Sequence, residues 1–276
     1  IPHQQHPKTM NYQTFQPHQD LEALVSCYWT LEIPAEYSAD RQRIVPDGCI
    51  EMAFILGDDI KRYTSQDEFI LQPRAMVLGQ TLAPFFIEPT GYVNTFAIRF
   101  YPYGFANFVT TPIEQLANKE TPLTSLFEAS IVNELERNII NAEDTKQRIA
   151  VIEKFLLERL HEQSTIDTIV KQTVDALLTS NGTVAITTIL KEDLSKRRQL
   201  ERNFKKQIGV SPKQLGKVIR LQSALKMLLN KETDSLTKIA YESDYFDQAH
   251  FNKDFKEFTG ISPTAFLRTE QMVLYK

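Results

Sequence analysis

Apolar residues in the first 110 positions come in short, punctuated runs. Residues 24–33 (LVSCYWTLEI) are rich in strand formers and stop at Pro34. Ile44 and Val45 lead into Pro46-Asp47-Gly48, a turn signal in which Asp47 reads as a turn former. Residues 49–56 (CIEMAFIL) then resume an apolar strand. Short apolar pieces at 77–78 and 85–87 are bounded by Gly79, Pro84 and Pro89. Residues 93–101 (VNTFAIRFY) alternate, with Phe96, Ile98 and Phe100 on one face. Short strands between Pro and Gly predict an antiparallel sandwich or barrel.

Past Pro112 the apolar spacing becomes helical. Residues 113–118 form a short candidate. Thr124 or Ser125 is expected to cap a helix carrying Phe127, Ile131, Leu135 and Ile139, and Asp144 or Thr145 one carrying Ile149, Ile152, Leu156 and Leu160. Ser164 or Thr165 is expected to open a helix over 166–178, stopped by Ser180-Asn181-Gly182. The pattern predicts an α+β chain. A front β-domain covers 1–110, a helical connector 111–163, and an all-α domain 164–276.

The last hundred residues repeat themselves. RQLERNFKKQIGVSPKQL, from Arg198, matches AHFNKDFKEFTGISPTAF, from Ala249, at a shift of 51. Leu200 meets Phe251, Phe204 meets Phe255, Gly209 meets Gly260, and Ser211-Pro212 meets Ser262-Pro263. Leu200, Phe204 and Ile208 share one helix face, as do Phe251, Phe255 and Phe258. Each Gly suits a left-handed helix end, and each Ser-Pro a helix start. A shorter apolar stretch precedes each copy, at 184–192 and 236–242. Short helix, turn and longer helix is the helix-turn-helix layout, whose second helix enters the major groove. Residues 218–229 are long enough for a helix spacing the two units.

Charge sharpens this. Residues 1–182 hold 14 Lys+Arg and 24 Asp+Glu, whereas 183–276 hold 17 and 11. A basic segment behind an acidic body suits a nucleic-acid binder. From Lys196 to Arg220 nine basic residues stand against Glu201 alone. Lys196, Arg197, Arg198, Glu201, Arg202 and Lys205 are the candidate DNA contacts of the first unit. Gln248, Ala249, His250, Asn252, Lys253 and Lys256 are those of the second. Arg reads guanine edges, Asn and Gln read adenine edges, and the remaining cations meet phosphates. His250 either touches DNA or only caps its helix.

These motifs resemble the AraC/XylS family of transcription regulators over residues 166–267. The match includes LSKRRQLERNFKKQIGVSPKQLGKVIRLQSAL and IAYESDYFDQAHFNKDFKEFTGISPTAF. The resemblance implies that Arg198, Glu201 and Arg202 read bases in one unit, and Gln248, Ala249, Asn252 and Lys253 in the other. Two positions depart from the family pattern. Asp244 replaces the usual turn Gly, and Ala249 replaces a common Ser. Asp tolerates positive φ better than most residues. The first unit's turn, 191–195, has no Gly and reads one residue longer than usual.

The front segments VSCYWTL, IVPDGCIEMAFIL, GQT and AIRFYPYGFANF resemble a bacterial domain found ahead of this DNA-binding pair. That resemblance implies a cupin-like β-sandwich. Three roles stay open for it: binding a small-molecule effector, dimerising the chain, or acting as a metal-dependent cupin enzyme. The five histidines, His3, His6, His18, His161 and His250, fall outside the candidate strands, which speaks against a metal site and against an enzyme. No cofactor is expected. Trp29 and Tyr28 line a pocket or belong to the core. Arg99 meets an anionic ligand or pairs with Glu51. Cys27 and Cys49 read as buried free thiols of a reducing cytoplasm. No apolar run reaches membrane-spanning length, and no secretory signal is seen. The expected partners are double-stranded DNA, a small-molecule effector, a second copy of the chain and, for an activator, RNA polymerase.

Overall fold

The computed structural model describes residues 9–37, 41–160, 166–190, 194–230 and 235–269. Among the described residues ten strands make two antiparallel sheets, followed by helices, so the α+β expectation holds. The strands are β1 (Asn11–Phe15), β2 (Val25–Ile33), β3 (Gln42–Ile44), β4 (Ile50–Ile55), β5 (Ile60–Tyr63), β6 (Phe69–Leu71), β7 (Ala75–Leu78), β8 (Phe85–Pro89), β9 (Val93–Phe100) and β10 (Glu120–Pro122). The larger sheet has the order β1-β2-β9-β4-β7-β10, and the smaller β3-β8-β5-β6. Because β10 pairs with β7, the front sheet reaches beyond residue 110.

The larger sheet is covered on both faces. Phe96, Ile98 and Phe100 of β9 join Tyr28, Met52 and Val77 in a core that continues into the helices. The alternate residues of the central strands, among them Ala53, Met76 and Ala97, face the smaller sheet with Ile60 and Ile87. Period-two alternation therefore separates a helix-facing side from a sheet-facing side.

The helices are α1 (Ala129–Asn141), α2 (Thr145–Leu157), α3 (Thr168–Thr179), α4 (Ile186–Ile189), α5 (Arg197–Ile208), α6 (Pro212–Leu229), α7 (Leu236–Glu242), α8 (Gln248–Thr259) and α9 (Pro263–Thr269). Asp144 caps α2 as expected, accepting from the Gln147 N–H at 2.8 Å. Elsewhere the expected starts move. Residues 123–125 form a 3-10 turn, and α1 begins after Glu128. The residue before α3 is Asp167; Ser164 and Thr165, expected to cap it, lie outside the described residues. The short helix expected over 184–192 is only α4, and much of the turn after it lies outside the described residues. Ser211-Pro212 opens a helix as expected, and that helix is continuous with the spacer expected over 218–229, so α6 runs from Pro212 behind the capping box that Ser211 and Gln214 close.

The two parts of the chain are joined by packing. Leu200, Phe204 and Ile208 of α5 share one continuous core with the front sheet and with α1, α2 and α3. Val45 sits in the second core, among Leu221 and Leu225 of α6 and the phenylalanines of α8. Arg43 donates to the Thr259 carbonyl at 2.6 Å, so the end of α8 is also held against the front domain.

Candidate nucleic-acid interface

Each unit exposes the first turns of its longer helix. On α5, Leu200, Phe204 and Ile208 are buried, so their spacing of four turns Arg197, Arg198, Glu201, Arg202 and Lys205 to solvent, with Lys196 just ahead. Arg197 Nε donates to Glu201 Oε1 at 3.2 Å, so Glu201 is already engaged by its own helix. The hidden side is fixed to α3: Asn203 Nδ2 donates to the Asp167 carboxylate, and Gln207 Oε1 accepts from the Asp167 N–H at 3.0 Å. Gly209 ends α5 at φ 97°, in the left-handed region expected of it.

The second unit repeats this plan. Asp247 caps α8 by accepting from the His250 N–H at 2.7 Å. Phe251, Phe255 and Phe258 are buried and Gly260 ends the helix at φ 77°. The turn tolerates Asp244, which stands at φ 55°. Ala249, His250, Lys253 and Lys256 are exposed.

Two expected base readers are less free. Gln248 is half-buried, and its Oε1 accepts from Thr237 Oγ1 at 3.0 Å, tying α7 to α8. Asn252 is half-buried, and its Oδ1 is enclosed without a hydrogen-bond partner among the described residues. His250 does more than start the helix, since its ring meets that of Tyr245 at 5.4 Å while its side chain stays 45% exposed.

Not every cation in the basic stretch faces outward. Lys217 Nζ lies 2.9 Å from Asp254 Oδ1, a carboxylate whose side chain is only 3% exposed, and 3.6 Å from Glu257. Arg220 donates to the Gly182 carbonyl at 3.1 Å and lies over the Tyr245 ring. These two brace α6 against its neighbours and are poor candidates for phosphates. Their signal in the sequence was position: Lys213, Lys217 and Arg220 follow one helix face at spacings of four and three.

Between the units lies a groove of about 800 Å³, lined by Arg197, Glu201, Lys213, Lys253 and His250 among others. The two exposed helix starts flank it.

Residues 195–269 match a helix-turn-helix domain family, and residues 13–122 match a domain of unknown function, DUF6597. The chain carries an AraC-type helix-turn-helix domain behind a DUF6597 domain. The HTH-type transcriptional regulator MtrA of Neisseria gonorrhoeae is 40% identical over 67 residues, 24% of this chain and 22% of that protein. An uncharacterized HTH-type transcriptional regulator of Haemophilus influenzae is 37% identical over 73 residues, 26% of this chain and 24% of that one. The chain thus spans less than a quarter of the length of the curated relatives it matches. Among solved structures, ToxT from Vibrio cholerae is 14% identical, covers 96% of this chain and 100% of its own, and has a TM-score of 0.49. The matched stretch of the AraC-type domain holds every candidate DNA contact of both units.

A second site lies inside the DUF6597 domain. A hollow of about 150 Å³ opens between the two sheets, lined by Tyr12, Trp29, Met76, Ile87, Asp47, Glu51 and Arg99 among others. Glu51 and Arg99 face each other across the β4–β9 register, and Arg99 Nε meets Glu51 Oε1 at 2.7 Å. Asp47 is more than a turn former, since its Oδ2 lies 3.1 Å from Arg99 Nη2. Burial pushes the Glu51 carboxyl above its usual range against the pull of Arg99, while Glu51 and then Asp47 hold Arg99 firmly charged. Trp29 belongs to this hollow and donates to Glu51 at 3.1 Å, whereas Tyr28 points into the core and donates to Glu153. Cys27 and Cys49 are free and half-buried, and burial pushes both thiols upward, away from redox reactivity.

Proposed function

We propose that the whole chain is a transcription regulator that binds specific sites in double-stranded DNA and answers to a small molecule held between the sheets of its DUF6597 domain. The observation that carries the DNA reading is the paired exposure of two basic helix starts, on α5 and α8, either side of one groove. Helices of this kind enter successive major grooves, roughly 34 Å apart along B-DNA. The 18-residue α6 sets the distance between them. In this reading the chain is not an enzyme, works in the cytoplasm, pairs with a second copy and, as an activator, touches RNA polymerase. No described helix is long and apolar enough to cross a membrane.

Arg202 and Lys253 are the exposed residues best placed to read bases. Arg202→Ala or Lys253→Ala is expected to weaken binding to the selected site by about 1–3 kcal/mol and relax preference at one position. Selection from a random DNA pool supplies the site, and gel shifts of the variants measure the loss. Unchanged affinity and preference would remove that residue from the readout. Lys205 and Lys206 stand farther along α5, both exposed. Lys205→Ala or Lys206→Ala is expected to weaken binding to all sequences alike and to lower the salt slope by about one. A loss confined to the selected site would contradict the phosphate assignment.

A further inference from the structure

The hollow in the DUF6597 domain has a chemical character of its own. Most of its wall is apolar, from Leu31, Ile33, Ile55, Met76, Ile87 and Val93. An apolar cavity near 150 Å³ is large enough to take a benzene ring. Its polar end is not neutral. Arg99 is the one cation among the lining residues, and it already meets two carboxylates, Glu51 at 2.7 Å and Asp47 at 3.1 Å. A ligand carboxylate would be a third negative group around a single guanidinium. A ligand cation instead offsets the surplus negative charge.

Hydrogen bonding agrees with charge. Glu51 Oε1 accepts from both Arg99 and Trp29, and Asp47 Oδ1 accepts from the Cys49 N–H at 2.9 Å. Glu51 Oε2 has no donor among the described residues, so the end of the hollow offers an unused acceptor. Tyr12 and Trp29, with ring centroids 6.0 Å apart, add aromatic surface beside it, which also favours a cation.

The same end of the hollow touches the AraC-type domain. Asp47 belongs to the turn Pro46-Asp47-Gly48. The Pro46 carbonyl accepts from Gln222 Nε2 of α6 at 2.6 Å. The Gly48 carbonyl accepts from the buried Gln80 at 2.7 Å. Gly48 itself, at φ 79°, leaves only 3.3 Å between an added Cβ and Leu215 of α6. Asp47 therefore faces the hollow with its side chain while its neighbours' backbone rests on the helix that spaces the two DNA-reading units.

We propose that the hollow binds an organic cation with an apolar body of about one ring, and that occupancy reaches α6 through the Pro46–Gly48 turn. This rests on the reading of the chain as a ligand-controlled regulator, and it names the ligand class and the route. A cation near Glu51 and Asp47 competes with Arg99 for both carboxylates. The Asp47 side chain then shifts, and the turn follows because the two are covalently one.

Three probes of matched shape test the ligand class on the full chain: 2-phenylethylamine, 2-phenylethanol and 3-phenylpropanoate, measured by calorimetric titration. The amine is expected to bind about tenfold more tightly than either of the others, the factor that 1.4 kcal/mol of charge preference gives. Glu51→Gln is expected to remove most of that margin. Equal affinities, tighter binding of the propanoate, or an amine preference unmoved by Glu51→Gln overturns the proposal. Hydrogen exchange reads the route without DNA. Saturating amine is expected to change protection at 212–222, and Gln222→Ala to abolish the change while amine affinity stays within about twofold. An unchanged α6 in the wild-type chain, or an undiminished response in Gln222→Ala, overturns the route. Failure of the chain to bind DNA would count against the regulator reading instead, and shows in a separate gel shift.

Discussion

Arg99→Ala is expected to lower the unfolding free energy by about 2–4 kcal/mol, the largest loss for any single change in the DUF6597 domain's polar groups. Arg99 is the cation that Glu51 and Asp47 share, and all three side chains are less than a third exposed. Removing it leaves two carboxylates in a poorly solvated hollow with each other for company. The expected figure lies somewhat below that for a fully buried pair, because the Arg99 side chain is still 28% exposed. Two further results follow. Glu51→Gln added to Arg99→Ala recovers part of the loss, since the charge left behind is then removed. The single variant also gains stability as pH falls. Without Arg99, burial and the Asp47 charge are opposed only by the Trp29 hydrogen bond, so the folded pKa of Glu51 rises further above the unfolded value. A carboxyl raised in this way favours the folded state below its folded pKa, and the benefit fades as pH climbs through it. Denaturant melts across pH measure both. A loss under about 1 kcal/mol would mean that water reaches the pair freely.

Phe251→Ala is expected to cost about 3–5 kcal/mol and to abolish specific DNA binding without removing any DNA contact. The ring is fully buried, and its centroid lies 5.3 Å from Tyr245 and 5.5 Å from Phe255. It pins α8 between α7 and the spacer helix, with Ala249, His250 and Lys253 on the opposite face. A cavity there collapses only in part, and the helix start then loses its aim. Lys253→Ala provides the contrast, because it should weaken DNA binding with an unchanged melt. If Phe251→Ala melts like the wild-type chain and still binds its site, the packing account of α8 is wrong.

The repeated unit could be read in the sequence because each of its parts is local. Leu200, Phe204 and Ile208 define a face by spacing alone, and Gly209, Gly260 and Asp244 mark backbone states that few residues adopt comfortably. Asp144 was legible as a cap for the same reason. Helix starts at α1 and α3 were misplaced because several capping residues compete nearby, and packing chooses among them, whereas Ser211-Pro212 opens α6 as the repeat implied. Within the site, the exposed Arg and Lys of α5 were legible as a basic face. Lys217 and Arg220 were counted with them, since a cation that braces its own domain has the same composition as one that meets a phosphate. Gln248 and Asn252 read as free donors and acceptors until Thr237 and the surrounding packing were in view.

Taken alone, the sequence determined that the chain has a β front and a duplicated helix-turn-helix back, that the back is basic, and where its reading helices end. Those features depend on side-chain period and on backbone conformation within a few residues. Only the tertiary structure decided what meets what. It set Arg99 between Glu51 and Asp47, hid Lys217 against Asp254, ran one core from the β-sheet into α5, and laid the Pro46–Gly48 turn on α6. Asp47 and Arg99 are 52 positions apart, and Pro46 and Gln222 are 176 apart. Contacts at such separations come from how sheets and helices stack, a choice that no local pattern encodes.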